Sequence, residues 1–171
     1  FIRETDGLTE VALLAGTGNV TALTVGTGDV LSADAAVDIT ATTLDFTVTD
    51  GDFGDTDTAA GNAIETTVTD ITVDSSGNNG SQFIRETDGL TEVALLAGTG
   101  NVTALIVRTR DVLSADAAVD ITATTPDFTV TDGDFGDTDT AAGNAIETTV
   151  TDITVDSSGH NRSQFIPEPD S

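Results

Sequence analysis

The chain has 171 residues, with 30 Asp and Glu against five Arg, and a formal net charge of -25 at pH 7. That balance leaves no basic patch to hold a phosphate backbone, so nucleic acid is excluded as an expected partner, while solubility and the company of cations, divalent ones included, are favoured. The absence of Cys rules out a disulfide framework or a thiolate metal centre, and with no Trp, Tyr or Met and only seven Phe, a core must be built from Val, Ile, Leu, Ala and Thr.

In chain order, "FIRETDGLTEVALL" leads to a Gly-rich turn at 16–18, followed by the β-branched run "NVTALTV" (19–25). A second "GTG" turn (26–28) precedes "VDITATT" (37–43) and "DFTVTD" (45–50). Their apolar and polar residues roughly alternate, as half-buried strands require. The acidic turn "DGDFGD" (50–55) follows. The stretch "GDTDTAAGNAIETTV" (54–68) is the best helical candidate, a single turn at most, because Gly61 and two β-branched pairs weaken it. "IETTVTDITV" (64–73) then reads as strand, and "SSGNNGS" (75–81) as turn.

At Phe83 the text starts again. Residues 83–164 match residues 1–82 at all but six positions: Thr24/Ile106, Gly26/Arg108, Gly28/Arg110, Leu44/Pro126, Asn78/His160 and Gly80/Arg162. A third copy opens at 165–171 as "FIPEPDS". The expected organisation is therefore repeat copy 1 over 1–82, copy 2 over 83–164 and the start of a third copy over 165–171, in one continuous solenoid that is a window onto a longer array. The first residue is Phe and no Met occurs, as expected of a fragment. No long apolar run suggests a membrane span.

Within the unit, Asn or Asp followed by an inward Val or Ile recurs every nine or ten residues, at "GNVTAL", "GDVLSA" and "VDITAT". Two all-β architectures fit this rhythm: tandem β-sandwich repeats or a right-handed parallel β-helix. A sandwich centres on bulky aromatics, often a Trp, and this composition points to the β-helix, in which small and β-branched residues stack on their equivalents in neighbouring coils. The expectation is about eight coils of ~20 residues.

The succession "DFTVTDGDFGDTDTAAGNAIETTVTDITVDSSGNNGSQFIRETDGLTEVALLAGTGNVTAL" resembles the repeats of giant bacterial surface proteins of the filamentous haemagglutinin-like type. The resemblance covers essentially the whole chain and rests on turn and strand patterns, with Phe53 standing where the group more often has an aliphatic residue. It implies a secreted protein at the outer cell surface, folded as a right-handed β-helix and acting in adhesion. The implied partners are a host or neighbouring cell surface, its glycans or matrix, and neighbouring repeats of the same chain.

Near-verbatim repetition bears on function directly. A single active site does not need every constellation twice, whereas arrays serve reach and multivalency, so the expectation is a structural and adhesive segment and no enzyme. The one His, His160, stands where the other copy has Asn78, so no His-dependent catalytic group belongs to the repeat, and a solvated turn residue is expected. A polysaccharide-cleaving β-helix enzyme and a calcium-dependent binding module are the alternatives. The densest acidic stretch offers Asp50, Asp52, Asp55 and Asp57, repeated as Asp132, Asp134, Asp137 and Asp139. The spacing fails the EF-hand form, because Gly54 and Gly61 stand at ligand positions, so solvated corner loops are expected and no catalytic, cofactor or metal residue is assigned. Gly26, Gly28 and Gly80 become Arg in the second copy, which predicts solvent-facing positions without positive φ. Pro126 in place of Leu44 costs a ladder donor unless it opens the strand, so the strand "PDFTV" is expected to start there.

Overall fold

The computed structural model describes residues 1–55, 63–107, 110–137, 145–160 and 162–166. It is an all-β solenoid of two seven-stranded parallel sheets. The first sheet stacks β1 (Arg3–Glu4), β3 (Val20–Val25), β5 (Thr43–Val48), β7 (Asp70–Asp74), β9 (Glu92–Leu96), β11 (Ile121–Ala123) and β13 (Thr148–Val150). The second stacks β2 (Leu13–Leu14), β4 (Ile39–Thr40), β6 (Ile64–Thr67), β8 (Gln82–Glu86), β10 (Val102–Val107), β12 (Asp127–Val130) and β14 (Thr154–Asp156). The chain passes from one sheet to the other at every strand, and all pairings are parallel. The parallel β-helix read from the sequence is the fold.

Coils are longer than expected. Ile64 lies opposite Ile84, but Thr43 lies opposite Asp70 and Ile121 opposite Thr148, so most coils exceed the expected length and the chain makes fewer than eight of them. The extra residues are in the corners. Residues 64–67, inside the helical candidate, are strand β6, where β-branched Thr66 and Thr67 favour the pleated surface; 56–62 lie outside the described residues.

Alternation places the core. In β5, Leu44, Phe46 and Val48 point inward while Thr43, Asp45 and Thr47 point out, and β7 buries Ile71 and Val73 in the same way. Phe53 forms a bridge between Val30 and Gln82 at the corner and packs edge-on against Phe46, ring centroids 4.8 Å apart. Phe128 and Phe135 repeat the pair at 5.0 Å. All four rings are fully buried. They supply the large apolar contribution that a composition otherwise limited to small aliphatics needs.

Among the described residues each copy contributes seven strands, β1 to β7 and β8 to β14. Two strands complete a coil, so each copy makes three and a half coils. Equivalent segments therefore change sides between copies: "VTALTV" (β3) lies in the first sheet and "VTALIV" (β10) in the second, and the same exchange separates β5 from β12 and β7 from β14. The corners exchange as well. Going from the second sheet to the first, copy 1 has the links 15–19, 41–42 and 68–69, and copy 2 has 87–91 and then the much longer 108–120 and 131–147. Going from the first sheet to the second, 26–38 and 49–63 are wide and 124–126 and 151–153 are narrow. The wide loops thus leave one edge of the rod and continue on the other.

The substitutions between copies have distinct effects. Pro126 stands immediately before its strand and not at its first position: β12 begins at Asp127, where β5 already includes Thr43 and Leu44. The reading of the glycines is corrected. Gly28 has φ 85, and Gly80 is buried with its Cα so close to the Gly51 carbonyl that a Cβ would collide with that oxygen. Among the described residues the only non-Gly residue with positive φ is Asn79, so Arg110 does not share the Gly28 conformation. The corner backbone re-forms locally to admit the side chain.

Candidate functional site

The acidic loops are stitched between coils. Asp29 accepts the Asp52 amide at 2.9 Å, and Asp52 accepts the Ser81 amide one coil further at 2.7 Å. Copy 2 repeats this ladder through Asp111, Asp134 and Ser163, at 2.8 Å for each bond. Asp50 accepts from the Asn78 amide side chain, and Asp132 pairs with Arg162 at 3.0 Å. Asp55 and Asp137 have partners of their own, and Asp57 and Asp139 lie outside the described residues. Asp29, Asp52, Asp111 and Asp134 hold corner backbone together, and among the described residues the acidic loops do not converge on one point.

Convergence occurs where no motif announced it. Asp38 and Glu65, 5% and 3% exposed, meet inside the coil stack. Asp38 accepts the Glu65 amide at 2.8 Å and the Ser32 hydroxyl at 3.1 Å. Burial first, and the Asp38 charge second, push the Glu65 carboxyl up to about 7, against which Arg85, 3.6 Å away, acts only in part. Copy 2 rebuilds the pair: Asp120, 1% exposed, accepts the Glu147 amide at 2.8 Å and the Ser114 hydroxyl at 3.1 Å, and burial pushes it up to about 7. Each pair keeps one proton near neutrality, because two adjacent carboxylates removed from water cannot both ionise without large cost.

Beside the second pair, Glu92, Asp116 and Asp120 bring carboxylate oxygens within 4.8 Å of one another. Glu92 accepts the Ala115 amide at 2.8 Å and Asp116 the Ala118 amide at 2.6 Å, and burial raises the Glu92 carboxyl. Their counterparts in copy 1, Glu10, Asp34 and Asp38, form no such group. Glu92 belongs to a five-residue strand seated on β7, whereas β2 contains only Leu13 and Leu14, leaving Glu10 exposed.

A groove of ≈ 500 Å³ crosses the junction of the copies. One wall is the narrow corner stack around Thr42 and Thr69; the other is Asp88 to Thr91 with Arg110 and Asp111, where the wide corners of copy 2 begin. Neither buried pair lines it. His160 ends a short 3₁₀ turn, Ser158–His160.

The sequence signal for the buried pairs was available in retrospect. Asp38 and Glu65 are separated along the chain by the same offset that pairs Ile39 with Thr66. A carboxylate one coil above another is invisible until the length of that coil is known. Comparison with family models, with curated proteins and with solved structures finds no match to this chain.

Proposed function

We propose that the chain is a non-catalytic stretch of a bacterial secreted or cell-surface adhesin that extends a rod and presents repeated contact surfaces to a host or neighbouring cell surface, its glycans or matrix. The observation that carries this reading is the construction of the unit. Each copy adds three and a half coils, roughly 17 Å of rod at ~4.8 Å per coil, and offers its corners again on the other edge. Strong negative charge keeps such a rod soluble and self-repelling outside the cell. Deleting one repeat unit from the parent protein tests the reading: a graded loss of reach and cell binding is expected. Abrupt loss of a hydrolytic or lyase activity would establish the enzyme alternative instead.

A calcium-dependent binding module is the second reading, favoured by the Glu92, Asp116 and Asp120 group. Oxygen-only ligands from separate corners suit a hard divalent cation. Calorimetry with calcium separates the two readings, since a site near one per chain that Asp116→Asn abolishes would favour the module.

A further inference from the structure

The half-coil step creates a surface that neither copy has alone. On the edge where the chain returns from the second sheet to the first, copy 1 turns through 15–19 and then the two-residue corners 41–42 and 68–69, and copy 2 returns through 87–91 and, one coil on, a longer corner whose described part is 110–120. The ledge between these two corner widths is the ≈ 500 Å³ groove. We infer that this junction groove is a binding site for a neutral glycan strand, and that in a tandem array such grooves open on opposite edges in alternation, so that one rod engages glycans on two sides.

The occupant follows from what the walls offer and withhold. Ala41, Val68 and Leu90 are buried, their side chains committed to the core, and Leu113 alone among the large apolar residues of the lining is half-buried, so an acyl chain or an apolar peptide finds no continuous large apolar surface. The backbone amides along the narrow wall are already used: Thr42 donates to Gly18, Thr69 to Thr42 and Thr91 to Thr69. A peptide therefore cannot add a strand there. A polyanion meets Asp88 and Asp111 in the same groove, on a chain of net charge -25. What remains is a set of threonine hydroxyls and methyls beside the Asp111 carboxylate and the Arg110 guanidinium, which makes no ion pair among the described residues. Donors, acceptors and small C–H surfaces in close alternation match a sugar ring, whose vicinal hydroxyls both give and accept. The Thr42 hydroxyl, donating to the Thr17 carbonyl, and the Thr67 hydroxyl, bonded to that of Thr87, keep acceptor lone pairs available. The volume is in the range of ordinary ligand sites and holds roughly two or three hexose units.

The biological use of the groove rests on the adhesive reading above, but its binding does not, so the test uses the isolated chain. Neutral hexasaccharides of the malto, cello, xylo and manno series, and a galacturonic acid hexasaccharide as the anionic comparison, are titrated while backbone amide resonances are followed. The expected result is saturable binding of at least one neutral series, shifts concentrated at Thr69, Gly89 and Thr91, and a weakening of about tenfold in Arg110→Gly, consistent with one lost charged hydrogen bond. Amide resonances of that variant outside the groove, unchanged from the parent, show that it keeps the fold. Arg162→Gly, which restores the Gly80 sequence elsewhere, should bind as the parent does. No neutral binding at ~10 mM, preference for the uronate, or unchanged affinity in Arg110→Gly would each overturn the inference. Loss of glycan affinity with adhesion intact condemns the groove alone; glycan affinity with no adhesion in the parent protein condemns the adhesive reading alone.

Discussion

Residues 1–14 and 83–96 are the same fourteen letters in two settings. Phe1 is 88% exposed and Phe83 is 9% exposed; Glu4 is half-buried while Glu86 is fully buried. The two glutamates even respond in opposite directions. Hydrogen bonds from the Thr5 and Asp6 amides hold Glu4 below the usual carboxylate range, whereas burial raises Glu86 despite its bonds from Thr66, Thr87, Asp88 and Val68. The difference is the coil beneath. β8 and β9 are seated on β6 and β7, while β1 and β2 have pairing partners on one side only among the described residues. In a solenoid, a residue's environment is supplied by its neighbours one coil away, so burial and pKa belong to the stack and not to the motif.

That comparison can be broken most forcefully in the core. Phe46→Ala and Phe128→Ala each remove a fully buried ring from an aromatic pair, and each should lower stability by about 3–5 kcal/mol in urea melts. Because both copies bury the ring alike, the two losses should agree closely. A large inequality would mean that the copies are packed differently.

The next effect is on pH. Glu65 in the folded chain titrates near 7 against an ordinary value of 4.5, so between those values the folded state holds a proton that the unfolded chain has released. Stability is therefore full below about pH 4.5, falls as pH rises through 7, and is flat above it as far as this pair is concerned. Asp120 acts in the same direction. Melts from pH 5 to pH 8 should show a loss of ~2 kcal/mol per pair, and Glu65→Gln together with Asp120→Asn should flatten the slope. A gain in stability with rising pH would contradict the shared proton.

These outcomes depend on features that were legible to different degrees. The runs "DFTVTD" and "DITV" alternate at period two, so inward Phe46, Ile71 and Val73 could be read directly. "FIRET" and "EVALL" could not be read that way: their strands β8 and β9 exist because β6 and β7 lie beneath them. Missing those two strands hides the odd count of seven per unit, and with it the half-coil step. Gly28 and Gly80 misled for a related reason. Replacement by Arg in the other copy suggested free space, but the corner backbone itself differs, Gly28 being left-handed.

Smaller effects sharpen the contrast between copies. Pro126→Leu should lengthen β12 towards the six residues of β5 and raise stability by about 1 kcal/mol, read as a higher urea midpoint at unchanged slope. Arg162→Ala removes an ion pair whose side chains are 45% and 40% exposed, and should change stability by less than about 0.5 kcal/mol.

The half-coil step has one direct test. Ala35 and Ala117 are equivalent, exposed corner residues in the two copies, and the chain contains no Cys, so Ala35→Cys with Ala117→Cys gives two clean spin-label sites. A repeat of whole coils would stack the labels on one edge, separated by little more than the rise of a unit, roughly 17 Å. Three and a half coils put them on opposite edges, and the pulsed dipolar distance should then exceed about 30 Å, the rise combined with the width of the rod. A distribution centred on the rise alone would contradict the account.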